Sequence, residues 1–206
     1  MEPTNQEGGI NGLILAVAQN PWRLMFAIAA MTGLRAGEVL GLRVEDVDLQ
    51  RKVLTVKQTA WQGKIQTTKT KGSESTVPIP EALCQLLEPV LPKQGLLFVN
   101  KIGRAYSSSK VVNKRLWPIL DSLNIPRTGF HAFRHAHASL LLESGASPKV
   151  TQRQLRHSDA KITVGMYAHL VEHSHREAVE KVADLVGNLS INGPNLVQYK
   201  NEVLFS

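Results

Sequence analysis

The chain has 206 residues, 43% of them hydrophobic and 20% charged, enough for one packed domain with a full core and outside the range of disordered sequences. Lysine and arginine total 24 against 17 acidic residues, a net charge of +7 that favours a polyanionic partner. The single Cys84 excludes an internal disulfide and any multi-cysteine zinc site, and neither a membrane-length apolar run nor a signal-peptide pattern is present, so an intracellular, cytoplasmic protein is expected.

Residues 1–12 are polar and glycine-rich and read as a flexible lead-in. Asn20-Pro21 then supplies a cap and a first-turn proline for a helix that is apolar almost all round and stops at Gly33. A second short helix follows, from Leu34 to about Leu42. From Val53 the period changes to that of strands. Val53–Val56, 64–68 and 75–79 are expected to form a small three-stranded antiparallel sheet, with turns at Gly63 and at Lys71-Gly72-Ser73. Pro80-Glu81 opens an amphipathic helix in which Cys84 is a small core residue. A brief extended segment lies at 96–99. Ser107–Ser109 can cap a helix through Asn124, kinked at Pro118. Helices at 131–144 and 148–155 follow, then two more near 160–170 and 172–186. The result is a mostly helical α+β domain.

Between Phe130 and Leu170 lie His131, Arg134, His157 and Tyr167. An arginine that grips anions in a fork, two imidazoles and a phenol form a natural set for a phosphodiester. No cluster of Asp and Glu stands beside them to hold a metal. His131, His135 and His137 could be read as ligands on one helix, but a third clear ligand is missing and satisfied core histidines are the commoner outcome. The trio His169, His173 and His175 is discounted for the same reason. Upstream, Arg35 and Glu38 lie three apart, either a surface helix pair or an arginine held in one orientation by its carboxylate.

Four pieces occur in order: Thr-Gly-Leu-Arg-x-Gly-Glu at 32–38, Thr-Lys-Thr-Lys before a Val-Pro strand, His-x-x-Arg-His-x-His-Ala-Ser at 131–139, and Leu-x-His followed ten residues later by Tyr. With these spacings the chain resembles the tyrosine recombinase (phage integrase) family over residues 13–186, its catalytic domain. The resemblance implies that Arg35 and Arg134 clamp the scissile phosphate and that Glu38 supports Arg35. It implies Lys69 as general acid on a β-hairpin, with Lys71 as the alternative, and His131 and His157 as hydrogen-bonding and proton-transfer groups. Tyr167 would attack, leaving a 3′-phosphotyrosyl bond, with no metal or other cofactor. The implied partners are double-stranded DNA and further copies of the chain, a tetramer on DNA, in a bacterial or phage setting. The alternatives are type IB topoisomerase-like relaxation and a non-catalytic DNA-binding remnant of a mobile element.

Three departures stand out. Arg156 occupies the place where the family usually writes glycine, a left-handed cap, and is expected to strain the turn or reach a DNA phosphate. Gly165 weakens the helix that would carry Tyr167. No N-terminal clamp domain is evident before residue 13, so a catalytic domain taken alone or a truncated gene is expected, with weak, salt-sensitive DNA binding. The tail, 187–206, ends in an apolar patch (Leu196, Val197, Tyr199, Val203, Leu204, Phe205) that could dock on a neighbouring copy.

Overall fold

The computed structural model describes residues 6–67 and 75–156. The expected helices near 160–170 and 172–186, and the tail, lie outside the described residues. Eight α-helices and five short strands run in the order α1 (Gln6–Val17), α2 (Trp22–Thr32), α3 (Ala36–Gly41), β1 (Val47–Asp48), β2 (Val53–Val56), β3 (Gln58–Trp61), β4 (Lys64–Thr67), β5 (Ser75–Pro78), α4 (Glu81–Leu87), α5 (Ser108–Val111), α6 (Trp117–Ser122), α7 (Phe130–Glu143) and α8 (Pro148–Leu155) among the described residues. The α+β class read from the sequence holds. Among those helices, none is long and apolar enough to cross a membrane.

Helix α2 is the spine of the core. Its run of Leu24, Met25, Phe26, Ala27, Ile28 and Ala29 is buried on every side, as a helix without a polar face must be. Phe26 stacks on Phe133 of α7 at 5.6 Å and meets Phe130 at 5.8 Å, so an aromatic cluster fixes α7 along α2. The asparagine-capped start expected for α2 is replaced by Pro21 at the cap position, after a cis Asn20–Pro21 bond. Gly33 ends the helix as expected, at φ 68°. A second reason for glycine there is space. A Cβ would lie 2.6 Å from Leu155 Cδ2 and 2.9 Å from His137 Cδ2, so α7 and α8 close over this turn. Helix α1 begins at Gln6, so much of the stretch read as a loose lead-in is helical.

The strands differ from expectation in membership. Three antiparallel strands do form a sheet, but in the order β1-β2-β5, with Leu54 opposite Val77 and Val47 opposite Leu54. The strand expected at 64–68 instead pairs with β3 in a separate hairpin, turned by Gln62 and Gly63, both at positive φ. Strand β3 escapes a hydrophobic reading because it is held by backbone proximity rather than by an apolar face. Gly37 and Gly41 of α3 let β3 approach closely, and Gln58 Nε2 donates to Gly41 O at 2.7 Å. A Cβ on Gly37 would collide with Thr59 Oγ1 and lie 2.9 Å from Ala60 O. Gly37→Ala is therefore expected to destabilise the fold by about 2 kcal/mol, the scale of overpacking, readable as a lower urea midpoint at unchanged slope.

The helix expected from Ser107 through Asn124 is present but divided. Ser107 stands at the cap position of α5 without a side-chain capping bond, a wide π-type turn covers Val112–Leu116, and α6 starts with Pro118 in its first turn. The interruption precedes the proline because its missing N–H and its ring act on the turn before it. Extended backbone at 96–99 appears as two isolated bridges, Arg43 to Leu96 and Val99 to Ala105.

Candidate active site

The C-terminal end of α2 presents carbonyls that have no partner within the helix. Donors from α7 and α8 supply them. His137 Nδ1 donates to Ala30 O at 3.0 Å, Gln154 Nε2 to Thr32 O at 3.3 Å, and Arg134 Nη1 to Gly33 O at 2.6 Å. The other terminal nitrogen of Arg134, Nη2, donates to Leu155 O at the end of α8. A guanidinium thus sits between two helix C-termini, where the negative ends of both dipoles favour a cation. Burial lowers the pKa of Arg134 to about 10, aided by the charges of Arg35 and Arg156 and opposed by Glu38. It stays charged at neutral pH.

Arg35 follows two residues after Gly33 and forms the cap position of α3. Its backbone N–H donates to Glu38 Oε2 at 2.8 Å, and its Nη1 donates to Glu38 Oε1 at 3.1 Å. The Arg35 side chain is half exposed at 49%, whereas Glu38 is buried. Arg156 Nη2 donates to the same Glu38 Oε1 at 2.7 Å. Burial would raise the Glu38 pKa, but the charge of Arg156, the Arg35 amide and the Arg35 charge outweigh it and hold the carboxyl below its ordinary range. Three guanidiniums and one carboxylate leave this corner of the molecule strongly cationic.

His131 is exposed in the first turn of α7, its Nε2 3.5 Å from Thr128 Oγ1. It lines an open groove with Ala36, Ser108, Ser109 and Asn113, so the groove runs past the residue next to Arg35. The serines and the asparagine had no motif to mark them in the sequence. His135 is exposed too, its ring 6.3 Å from that of His131. His137 faces the other way, into the core. Burial lowers its pKa, the Ala30 carbonyl opposes that and Arg134 adds to it, so the ring is neutral at pH 7 with its proton on Nδ1. Among the described residues no three His, Cys, Asp or Glu side chains gather as a metal site.

The structure therefore brings together Arg35, Glu38, Arg134 and Arg156, with His131 on the adjoining groove. Lys69 and Lys71, in the connection between β4 and β5, lie outside the described residues, as do His157 and Tyr167. Of two further members of the arrangement, Gln154 was missed by sequence reasoning and His137 was expected as a satisfied core histidine, and its ring is bonded in the core through Nδ1. His137 and Gln154 fasten the end of α2, and no motif marked Gln154 in the sequence. Arg156 adopts the left-handed conformation expected of a glycine at this place, φ 55° and ψ 45°, and the turn is not displaced. Its side chain, expected to reach a DNA phosphate, is held at Glu38.

The sequence profile of the phage integrase family matches residues 12–173. An integrase of Staphylococcus phage L54a is 34% identical over 180 residues, covering 77% of this chain and 51% of the phage protein. A XerC-like tyrosine recombinase of Caldanaerobacter subterraneus is 32% identical over 193 residues, covering 79% of this chain and 49% of that protein. The chain thus spans about half the length of these curated relatives. Among solved structures, the Tn1549 transposon integrase in complex with transposon right end DNA superposes with a TM-score of 0.72 at 23% identity, over 89% of this chain and 65% of that one. XerA recombinase gives a TM-score of 0.67 at 21% identity, over 84% of this chain and 61% of that one. At such identities the likeness speaks for a shared fold.

Proposed function

The chain belongs to the phage integrase family, and from that premise we propose that it is the catalytic domain of a site-specific DNA recombinase. The observation that carries this reading is the meeting of Arg134 and Arg35, 99 positions apart in sequence, on one turn: Arg134 grips the carbonyl of Gly33 and Arg35 leaves the same turn under the hold of Glu38. Two preorganised guanidiniums beside an open groove suit the non-bridging oxygens of a phosphodiester, and such electrostatic positioning is the main requirement of phosphoryl transfer. Among the described residues Arg134 gives two of its N–H donors to the protein, and the others can serve an anion.

In this reading the phenolic oxygen of Tyr167 attacks phosphorus and the bond to the 5′-oxygen breaks. The phenol proton passes to a neighbouring base, for which His131 and His157 are the candidates. Lys69, or Lys71 two residues on, gives a proton to the departing 5′-oxygen. A 3′-phosphotyrosyl bond and a 5′-hydroxyl remain, so the phosphoester energy is conserved and rejoining to another 5′-hydroxyl needs neither metal nor ATP. The surrounding charge helps a phenol of ordinary pKa near 10 to ionise. DNA would be the substrate, bound by several copies of the chain.

The test is covalent capture. The protein is incubated with a labelled pool of short nicked duplexes of randomised sequence, in which cleavage releases a fragment too short to rejoin. A labelled protein–DNA adduct that survives denaturation is expected, and it disappears in Tyr167→Phe. No adduct from any duplex would instead indicate a DNA-binding module without chemistry. Adducts without sequence preference, together with relaxation of supercoiled DNA, would indicate a topoisomerase.

A further inference from the structure

Arg156 ends α8 in the left-handed region, where a Cβ crowds the backbone and glycine is the usual occupant. The position nevertheless carries a long charged side chain, and that chain does not turn to solvent. Only 17% of it is exposed, its Nη2 rests 2.7 Å from Glu38 Oε1, and its Nη1 is buried with no hydrogen-bond partner among the described residues. The contact spans 118 positions of sequence, so it ties the end of α8 to α3. Glu38 is fully engaged as a result. One oxygen takes the Arg35 amide, and the other is shared between Arg35 and Arg156.

We propose that Arg156 is a positioning residue for the recombinase reaction: by sharing Glu38 Oε1 it limits the hold of Glu38 on Arg35, so that the half-exposed Arg35 guanidinium stays available to an incoming phosphate. The same ion pair holds the left-handed end of α8, from which the chain continues into His157. A carboxylate released from Arg156 would leave Oε1 to Arg35 alone, and the charge-assisted bond between them would tighten. Arg35 would then be withdrawn from an incoming phosphate. This role rests on the recombinase reading for its purpose, but the ion pair that performs it can be tested apart from DNA.

The discriminating experiment compares the parent chain with Arg156→Gly and Arg156→Lys on nicked duplexes selected from the randomised pool by the parent. At saturating protein, Arg156→Gly is expected to slow adduct formation by roughly 10-fold to 100-fold, the scale of a misplacement of about 1 Å. Any loss of DNA affinity and salt slope should be that of one phosphate contact, the one made by Arg35, and should not recur when Arg156→Gly is made in an Arg35→Ala chain. Lysine, which keeps one charged donor, should recover part of the rate. The acid limb of the cleavage profile should move to higher pH in Arg156→Gly, since Glu38 loses the larger of the two charges that hold its pKa down. Three outcomes would overturn the proposal. Arg156→Gly cleaving as fast as the parent would mean the left-handed turn alone matters, and glycine serves it better. A loss of affinity with a salt slope smaller by about 1 that persists in the Arg35→Ala chain would mean a direct phosphate contact by Arg156. Additive effects of Glu38→Gln and Arg156→Gly on urea unfolding, where coupling of roughly threefold or more in the unfolding constant is expected, would mean the pair does no positioning. The unfolding cycle needs no substrate. A parent chain that forms no adduct but shows the coupling would count against the recombinase reading and leave the ion pair standing.

Discussion

Arg134→Ala is expected to lower covalent adduct formation by about 10²–10³-fold, the usual loss when one preorganised electrostatic donor is removed from a transition state. The same substitution should also destabilise the domain. Gly33 O and Leu155 O each lose their donor, and the carbonyls at the ends of α2 and α8 then stand close together with no cation between them. A buried acceptor left unpaired costs about 1–3 kcal/mol, so a loss near the middle of that range is expected even if water enters to serve one carbonyl. Arg134→Lys separates the two effects. A single ammonium carries the charge but cannot span both carbonyls, because it lacks the planar fork. Stability should then fall in the order Arg, Lys, Ala, while both variants cleave near the floor. The measurements are urea unfolding and first-order adduct formation. A stable Arg134→Ala protein would refute the clamp, and a fast one would refute its role at the phosphate.

Glu38→Gln is the second large effect. The amide can still accept from the Arg35 N–H, but three guanidiniums lose their one counter-charge among the described residues. Removing one member of a buried pair costs about 3–5 kcal/mol. The lower end applies here, about 3 kcal/mol, because the half-exposed Arg35 is screened by solvent and adds little. The pH dependence has a definite sign. The folded-state pKa of Glu38 lies below its unfolded value, so its contribution is complete above roughly pH 4.3 and is lost as pH falls through the lower folded value. Unfolding midpoints of the parent and of Glu38→Gln, followed from pH 7 into acid, should therefore converge. Midpoints that remain equally far apart however low the pH would show that the carboxylate charge is not what the substitution removes.

The parts of this molecule legible from sequence were those written in local chemistry. Gly33 stopping α2, Pro148 opening α8, and the buried all-apolar face of α2 follow from side-chain properties within a few residues. Arg35, Glu38, Arg134 and His131 were likewise legible through spacing and resemblance. The hairpin of β3 and β4 was not, because its signal lies on another element: the glycines of α3 admit its backbone, and no apolar alternation marks it. Arg156 was half legible. Its left-handed turn could be expected from the place it occupies, but its partner could not, since a buried carboxylate already paired with Arg35 gives no sign in sequence of a second claimant.

The clamp at the end of α2 has a further consequence, for the order in which the chain acquires its native shape. The bonds that build this corner join residues 101, 107, 118 and 122 positions apart. Contacts of such long range close large loops and form late, after the entropy of closure has been met. The aromatic cluster of α2 and α7 closes loops of similar length but needs no exact geometry and can gather on collapse, whereas the directional bonds of the arginine corner wait for α8. A chain emerging from the ribosome carries Arg35 and Glu38 long before Arg134 and Arg156 exist. Its cationic pocket is thus assembled last, and hydrogen exchange during refolding should protect the amides of α2 before those of α8.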